Sequence, residues 1–279
     1  MPAKRTVSQT TLLVVLIILT IIWMLPLIIT FNTALKSVPD AASSWPWDPP
    51  ERIVLLDNIK FAWETGKLNQ SFTRSVIYAG FGATFAIILA SLASYSLASL
   101  RIPRAFWWFL LIYSGTIFPF QMYLLPLFYM FQATSLYDTQ IGLLTFYTAI
   151  AIPFCLFVLR NHFTTISPEI VEAAKMDGLS NFGIYRKIMM PLSVAPIAAL
   201  FLFQFTWIWN ELLFGITLAR SADVRPVMAG LAGLRGIYAS QNTPGVLAGA
   251  LLASIPTILI FLLLGRYLLQ GMTLTTSGE

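Results

Sequence analysis

Charge is what this chain has least of. Only 10% of its 279 residues are Asp, Glu, Lys or Arg, against about 25% in soluble globular proteins, which argues against a water-soluble enzyme. A single cysteine, Cys155, rules out an intrachain disulfide. The single histidine, His162, has no companion at metal-ligand spacing. There is no Gly-x-x-x-x-Gly-Lys-Ser/Thr phosphate loop: the one Gly-Lys pair, Gly66-Lys67, is followed by Leu68, so this chain cannot hydrolyse ATP by that route. Long polar stretches are missing too. The longest, roughly 32–71, spans about 40 residues, below the size at which a domain folds unaided.

What is there is apolar and segmented. Hydrophobic residues make up 57% of the chain, and the 17 basic and 12 acidic residues leave charge-free stretches at 6–35, 75–100, 105–137, 139–159 and 236–265. A sixth, 188–210, continues past Glu211 to Ala219. Each is long enough for the roughly 20 residues that cross a hydrocarbon core about 30 Å thick. Lipid cannot satisfy free backbone groups, and nothing here shows the ten-residue alternation of a membrane barrel, so the spans are expected to be helices. The expected fold is all-α: one transmembrane domain, 1–279, with spans at about 9–31, 72–100, 105–132, 139–160, 192–218 and 246–268. The first apolar run exceeds 20 residues, too long for the core of a cleaved signal peptide, and reads as a retained helix.

With both termini inside, the inner segments hold nine basic against four acidic residues and the outer ones eight against seven. That bias favours cytoplasmic termini. The net charge of +5 therefore reads as membrane orientation, and no nucleic-acid partner is expected. Small residues recur every four positions in the second span, at Gly82, Ala86, Ala90, Ser94 and Ala98, and again at Gly245, Gly249 and Ala253. Such stripes let helices approach closely, within the chain or against a second membrane subunit. In the first outer segment, Trp45-Pro46-Trp47 combines a helix-breaking proline with aromatics that favour the bilayer interface.

The only sizeable inner loop is 161–191. Ser167 is a good N-cap, Pro168 suits the first helical position, and Glu169 places an acid in the first turn. A short helix should run to about Asp177, Gly178 should terminate it, and Ser180 or Asn181 should cap a second helix reaching Pro191. Glu172-Ala173-Ala174, with Asp177-Gly178, then Ile188 and Pro191, resembles the EAA loop of the membrane subunits of ABC importers. That motif commonly ends Ile-x-Leu-Pro; Met190 stands at the Leu position here. Pro119-Phe120-Gln121, Leu125-Pro126, Tyr137-Asp138-Thr139, Trp209-Asn210-Glu211 and Arg225-Pro226-Val227 look like the carbohydrate-importing, maltose-type branch.

The resemblance implies a type I importer permease of a bacterial inner membrane. It implies a coupling role for Glu172, Ala173, Ala174, Asp177, Gly178, Ile188 and Pro191. Its implied partners are a dimer of ATPase subunits carrying ATP and Mg, a second homologous permease, and an extracytoplasmic sugar-binding protein met by the outer loop 220–244. No cofactor is expected on this chain. Glu172 and Asp177 could pair with Arg186 or Lys187, or with the ATPase.

Glu211 is the one acid within the apolar stretches, and an unpaired charge at membrane depth costs at least about 2.5 kcal/mol. Gln204, Trp207 and Glu211 fall on one helical face, with Asn210 beside it. That face lines a sugar pathway or bonds neighbouring helices; Gln121 and Tyr123 are further pathway candidates. The rival class is an ATP-independent secondary transporter or channel, against which stand the lone intramembrane acid and the lack of a repeat between halves.

Overall fold

The computed structural model describes residues 7–273; the expectations for Lys4, Arg5 and the tail beyond 273 lie outside the described residues. Among those residues there is no strand. Helix α1 (Val7–Leu35) is followed, after the connecting segment 36–67, by α2 (Leu68–Ser99), α3 (Ala105–Tyr113), α4 (Leu124–Ala133) and α5 (Gln140–Thr165). Then come α6 (Pro168–Met176), α7 (Asn181–Leu192), α8 (Val194–Asn210), α9 (Leu213–Leu218), α10 (Val227–Tyr238) and α11 (Thr243–Thr273). Among the described residues four helices are long and apolar enough to cross a membrane: Thr10–Leu35, Leu68–Ser99, Gln140–Thr165 and Thr243–Tyr267. Two bent pairs, Ala105–Thr116 with Phe120–Ala133 at 87° and Asn181–Leu192 with Val194–Asn210 at 75°, bring the number to six if each is one span.

Three expectations are corrected. The third span, expected unbroken over 105–132, bends at Pro119, where proline removes a donor and clashes with the preceding turn. The Tyr123 hydroxyl donates to Gly115 O at 2.9 Å across the bend, satisfying a carbonyl there. The fifth span, expected over 192–218, ends at Asn210 and resumes as α9. The outer loop 220–244 contains the 12-residue helix α10. In addition, α5 runs on to Thr165, so His162 lies in its last turn and not in a loop.

The chain divides into two compact units. The first comprises the residues up to Leu68 together with Leu231–Ser254. In it Asn58 closes the end of α1, its amide donating to Ala34 O (2.8 Å) and Lys36 O (2.9 Å), carbonyls a helix end leaves unpaired. Lys36 donates to Ser44 Oγ and Trp45 O, and Asn32 to Pro46 O and Asp48 O. These bonds fix a turn that presents Trp45 and Trp47 as an exposed parallel stack with centroids 5.3 Å apart. Gly249 comes so close to Ala62 and Leu68 that an added Cβ would lie 3.1 Å from each. The Gly245, Gly249 face is thus used for packing within the chain.

The second unit comprises Asn69–Gly230 and the residues from Ile255 onward. The small stripe of α2 faces inward here: Ala86, Ala90 and Ser94 are fully buried, and an added Cβ at Gly82 would lie 3.1 Å from Ile208. Ser94 Oγ donates to Leu156 O of α5 at 3.1 Å. Close approach across small side chains is what brings α2 against α5 and α8.

Candidate functional site

The inner loop folds as its local signals require. Ser167 Oγ accepts from Glu169 N at 3.3 Å, Pro168 begins α6, and Lys175 sits in the last turn, where a cation offsets the helix dipole. Gly178 has φ +81°, a left-handed conformation that a residue with a Cβ adopts only under strain. Ser180 then caps α7, its Oγ accepting from Gly183 N at 3.1 Å. The helix widens to π geometry over Tyr185–Met189 and bends by 75° into α8.

This elbow has two faces. Ala174, Ile184, Tyr185 and Met189 are buried in one cluster with Ala90 and Tyr95 of α2 and Leu156, Leu159 and Phe163 of α5. Tyr185 Oη and Ser91 Oγ share a 2.7 Å hydrogen bond. On the other side Glu172, Ala173, Asp177, Gly178, Arg186, Lys187 and Pro191 are exposed, and Ile188 is half-buried. Among the described residues neither Glu172 nor Asp177 forms an ion pair with Arg186 or Lys187. Two large apolar side chains stand out on the exposed side, Met176 at 88% and Phe182 at 63% exposure. Leaving them in water forgoes about 25 cal/mol for each Å² of apolar surface.

The polar candidates in the spans separate into two groups. Gln204 and Trp207 line one cavity of about 330 Å³ with Ile150, Phe154 and Phe203. Gln204 is itself buried. Tyr123 lines a second cavity of about 410 Å³, which shares Ile150 with the first. Gln121 is exposed and lines neither cavity. Asn210 is exposed and bonds back to Thr206 O at 2.8 Å.

Glu211 occupies a different environment. Its carboxylate is buried and accepts from Tyr147 Oη (2.8 Å), Phe214 N (2.8 Å) and Gly215 N (3.1 Å). It caps α9 at the point where the span breaks. Asp138 holds the far end of α9: its Oδ1 accepts from Arg220 N (2.8 Å), Ser221 N (2.9 Å) and Ser221 Oγ (3.1 Å). Tyr78 donates to Val224 O, Val227 N donates to Ser75 Oγ, and Pro226 packs so tightly on Gly215 that a Cβ there would lie 2.7 Å from it. The fragments Tyr137-Asp138-Thr139, Trp209-Asn210-Glu211 and Arg225-Pro226-Val227 therefore meet around the short helix α9. Tyr147 was not singled out by sequence, since a tyrosine within an apolar span carries no periodic or spacing signal.

Comparison with known proteins agrees with this architecture. Residues 82–274 match the family described as binding-protein-dependent transport system inner membrane component. A probable ABC transporter permease of Pyrococcus horikoshii is 40% identical over 163 residues, 58% of this chain and 59% of that protein. The melibiose/raffinose/stachyose import permease of Bacillus subtilis is 30% identical over 276 residues, 98% of each chain. Among solved structures, a chain of a bacterial ABC transporter involved in import of the acidic polysaccharide alginate superimposes with a TM-score of 0.78 at 21% identity, covering 96% of this chain and 99% of that one. With the helical fold, the apolar spans and the two-faced elbow, these matches identify the chain as a member of the binding-protein-dependent transport system inner membrane component family, the membrane permeases of ABC transporters.

Proposed function

We propose that this chain is one of two homologous membrane subunits of an ATP-driven importer that receives a carbohydrate from an extracytoplasmic binding protein. It lies in a bacterial inner membrane with both termini in the cytoplasm. The observation that carries the proposal is the elbow: one face is continuous with the core of the bundle, and the other presents Met176 and Phe182 beside the unpaired acids Glu172 and Asp177. A rigid body of that kind docks on an ATPase subunit and hands its displacement to the spans it joins. ATP and Mg are held by the partner ATPases, and this chain performs no covalent chemistry. Closure of the ATPase dimer moves the elbow and exchanges an inward-open pathway for an outward-open one, provided that nucleotide and binding protein favour the same state. Within the spans, the Gln204 amide and the Trp207 ring supply the pairing that a sugar uses, a hydrogen bond to a hydroxyl and stacking on an apolar sugar face.

The test is isolation of the complex. An ATPase subunit is expected to co-purify, and a cysteine at Met176 should cross-link to it. Met176→Ala and Phe182→Ala should each weaken that association by about 2 kcal/mol if they act as central contacts. Uptake by vesicles holding this chain without any ATPase would reject the proposal.

A further inference from the structure

A break in a transmembrane helix is by default a hinge, because residues outside the ladder of backbone hydrogen bonds are free to change φ and ψ. The break after Asn210 lies between the bent pair that carries the elbow and the short helix α9, which leads on to α10. Side chains hold the break itself and the far end of the helix that follows it. Glu211 gathers three donors from α5 and α9, and Asp138 gathers three from 220–221. The Phe214 ring packs against Phe146 of α5, tilted by 35° with centroids 4.2 Å apart. The carboxylate of Glu211 has no spare contact for a solute: it is 7% exposed and both oxygens are engaged.

We infer that Glu211, with Tyr147 and Asp138, is a positioning element that converts this break into a rigid joint, so that displacement of α8 reaches the outer segment instead of being absorbed at residues 211–212. The inference rests on the importer reading for the source of the displacement, but the rigidity of the joint can be measured without it. Phe203 on α8 and Ile216 on α9 are each 54% exposed, and Cys155 is fully buried, so spin labels placed by Phe203→Cys and Ile216→Cys report across the break.

The experiment uses the assembled complex in nanodiscs, nucleotide-free and trapped with Mg, ADP and vanadate. In the parent protein one narrow Phe203 to Ile216 distance distribution is expected, the same in both states. Glu211→Gln exchanges an acceptor oxygen for an amide donor facing donors. It should broaden the distribution and add a displaced population on trapping, while vanadate-sensitive ATP turnover persists. Tyr147→Phe removes one of the three bonds and should give a smaller change in the same direction, which guards against loss of folding in the glutamate variant. A parent distance that shifts on trapping, or variants indistinguishable from the parent in both states, would overturn the inference. If no vanadate-sensitive ATPase accompanies the chain, the importer reading fails, and the widths in the nucleotide-free protein still decide whether the joint is held by Glu211.

Discussion

Glu211 illustrates how a buried acid can be satisfied without a cation. Three donors converge on it, two of them backbone N–H groups at the start of α9. Replacement by alanine would orphan all three, each at about 1–3 kcal/mol when buried. Glu211→Ala is therefore expected to lower the melting temperature of the detergent-solubilised chain, with Tyr147→Phe costing less. Equal melting of parent and Glu211→Ala proteins would contradict the bonding described. Gly178 makes a simpler case. Nothing lies within 4 Å of the Cβ it lacks, so alanine there meets no clash and only the positive φ matters. Gly178→Ala should cost about 1–2 kcal/mol and reduce ATPase coupling while membrane insertion stays normal, a split readable by comparing expression with co-purification.

Between α6 and α7, the helical period decides what each neighbour does. Ala173 and Ala174 are adjacent in sequence but about 100° apart around α6; the first is exposed and the second is 4% exposed in the core shared with α2 and α5. Ala174→Asp would bury an unpaired charge and is expected to destabilise the elbow, seen as rapid proteolysis within 165–191. Ala173→Asp should leave proteolysis unchanged and weaken only association with the ATPase. Identical behaviour of the two variants would show that the elbow does not have separate inner and outer faces. The breaks in the third and fifth spans follow the same reasoning. Pro119 and the 211–212 break each interrupt a largely apolar span, and each break is compensated by a side chain, Tyr123 in one case and Glu211 in the other.

At the scale of the whole molecule, the charge-based orientation is open to test: it puts the elbow, with Arg160, Lys175, Arg186 and Lys187, in the cytoplasm and Ile237 outside. Single cysteines at Met176 and at Ile237, 88% and 64% exposed, give a direct check. A membrane-impermeant maleimide should label the Ile237 site in intact cells and the Met176 site only after permeabilisation. The reverse pattern would invert the topology and remove the elbow from the reach of any cytoplasmic ATPase.

The helical class, the apolar spans and the elbow were legible in the amino-acid order, because each depends on neighbours within a few residues: hydropathy over about 20 positions, Ser167 before Pro168, Gly178 before Ser180. The charge-free stretch 188–210 even announced Glu211 as exceptional. Which role that acid plays was decided only by tertiary structure. Its partner Tyr147 is 64 residues away in the chain, and Asp138 reaches segments 82 and 83 residues distant. The same holds for the inward turn of Ala174 and the breaks in the third and fifth spans. Local sequence sets what a segment can become; contacts between distant segments select among those options, since a buried polar group takes the geometry in which its hydrogen bonds are complete.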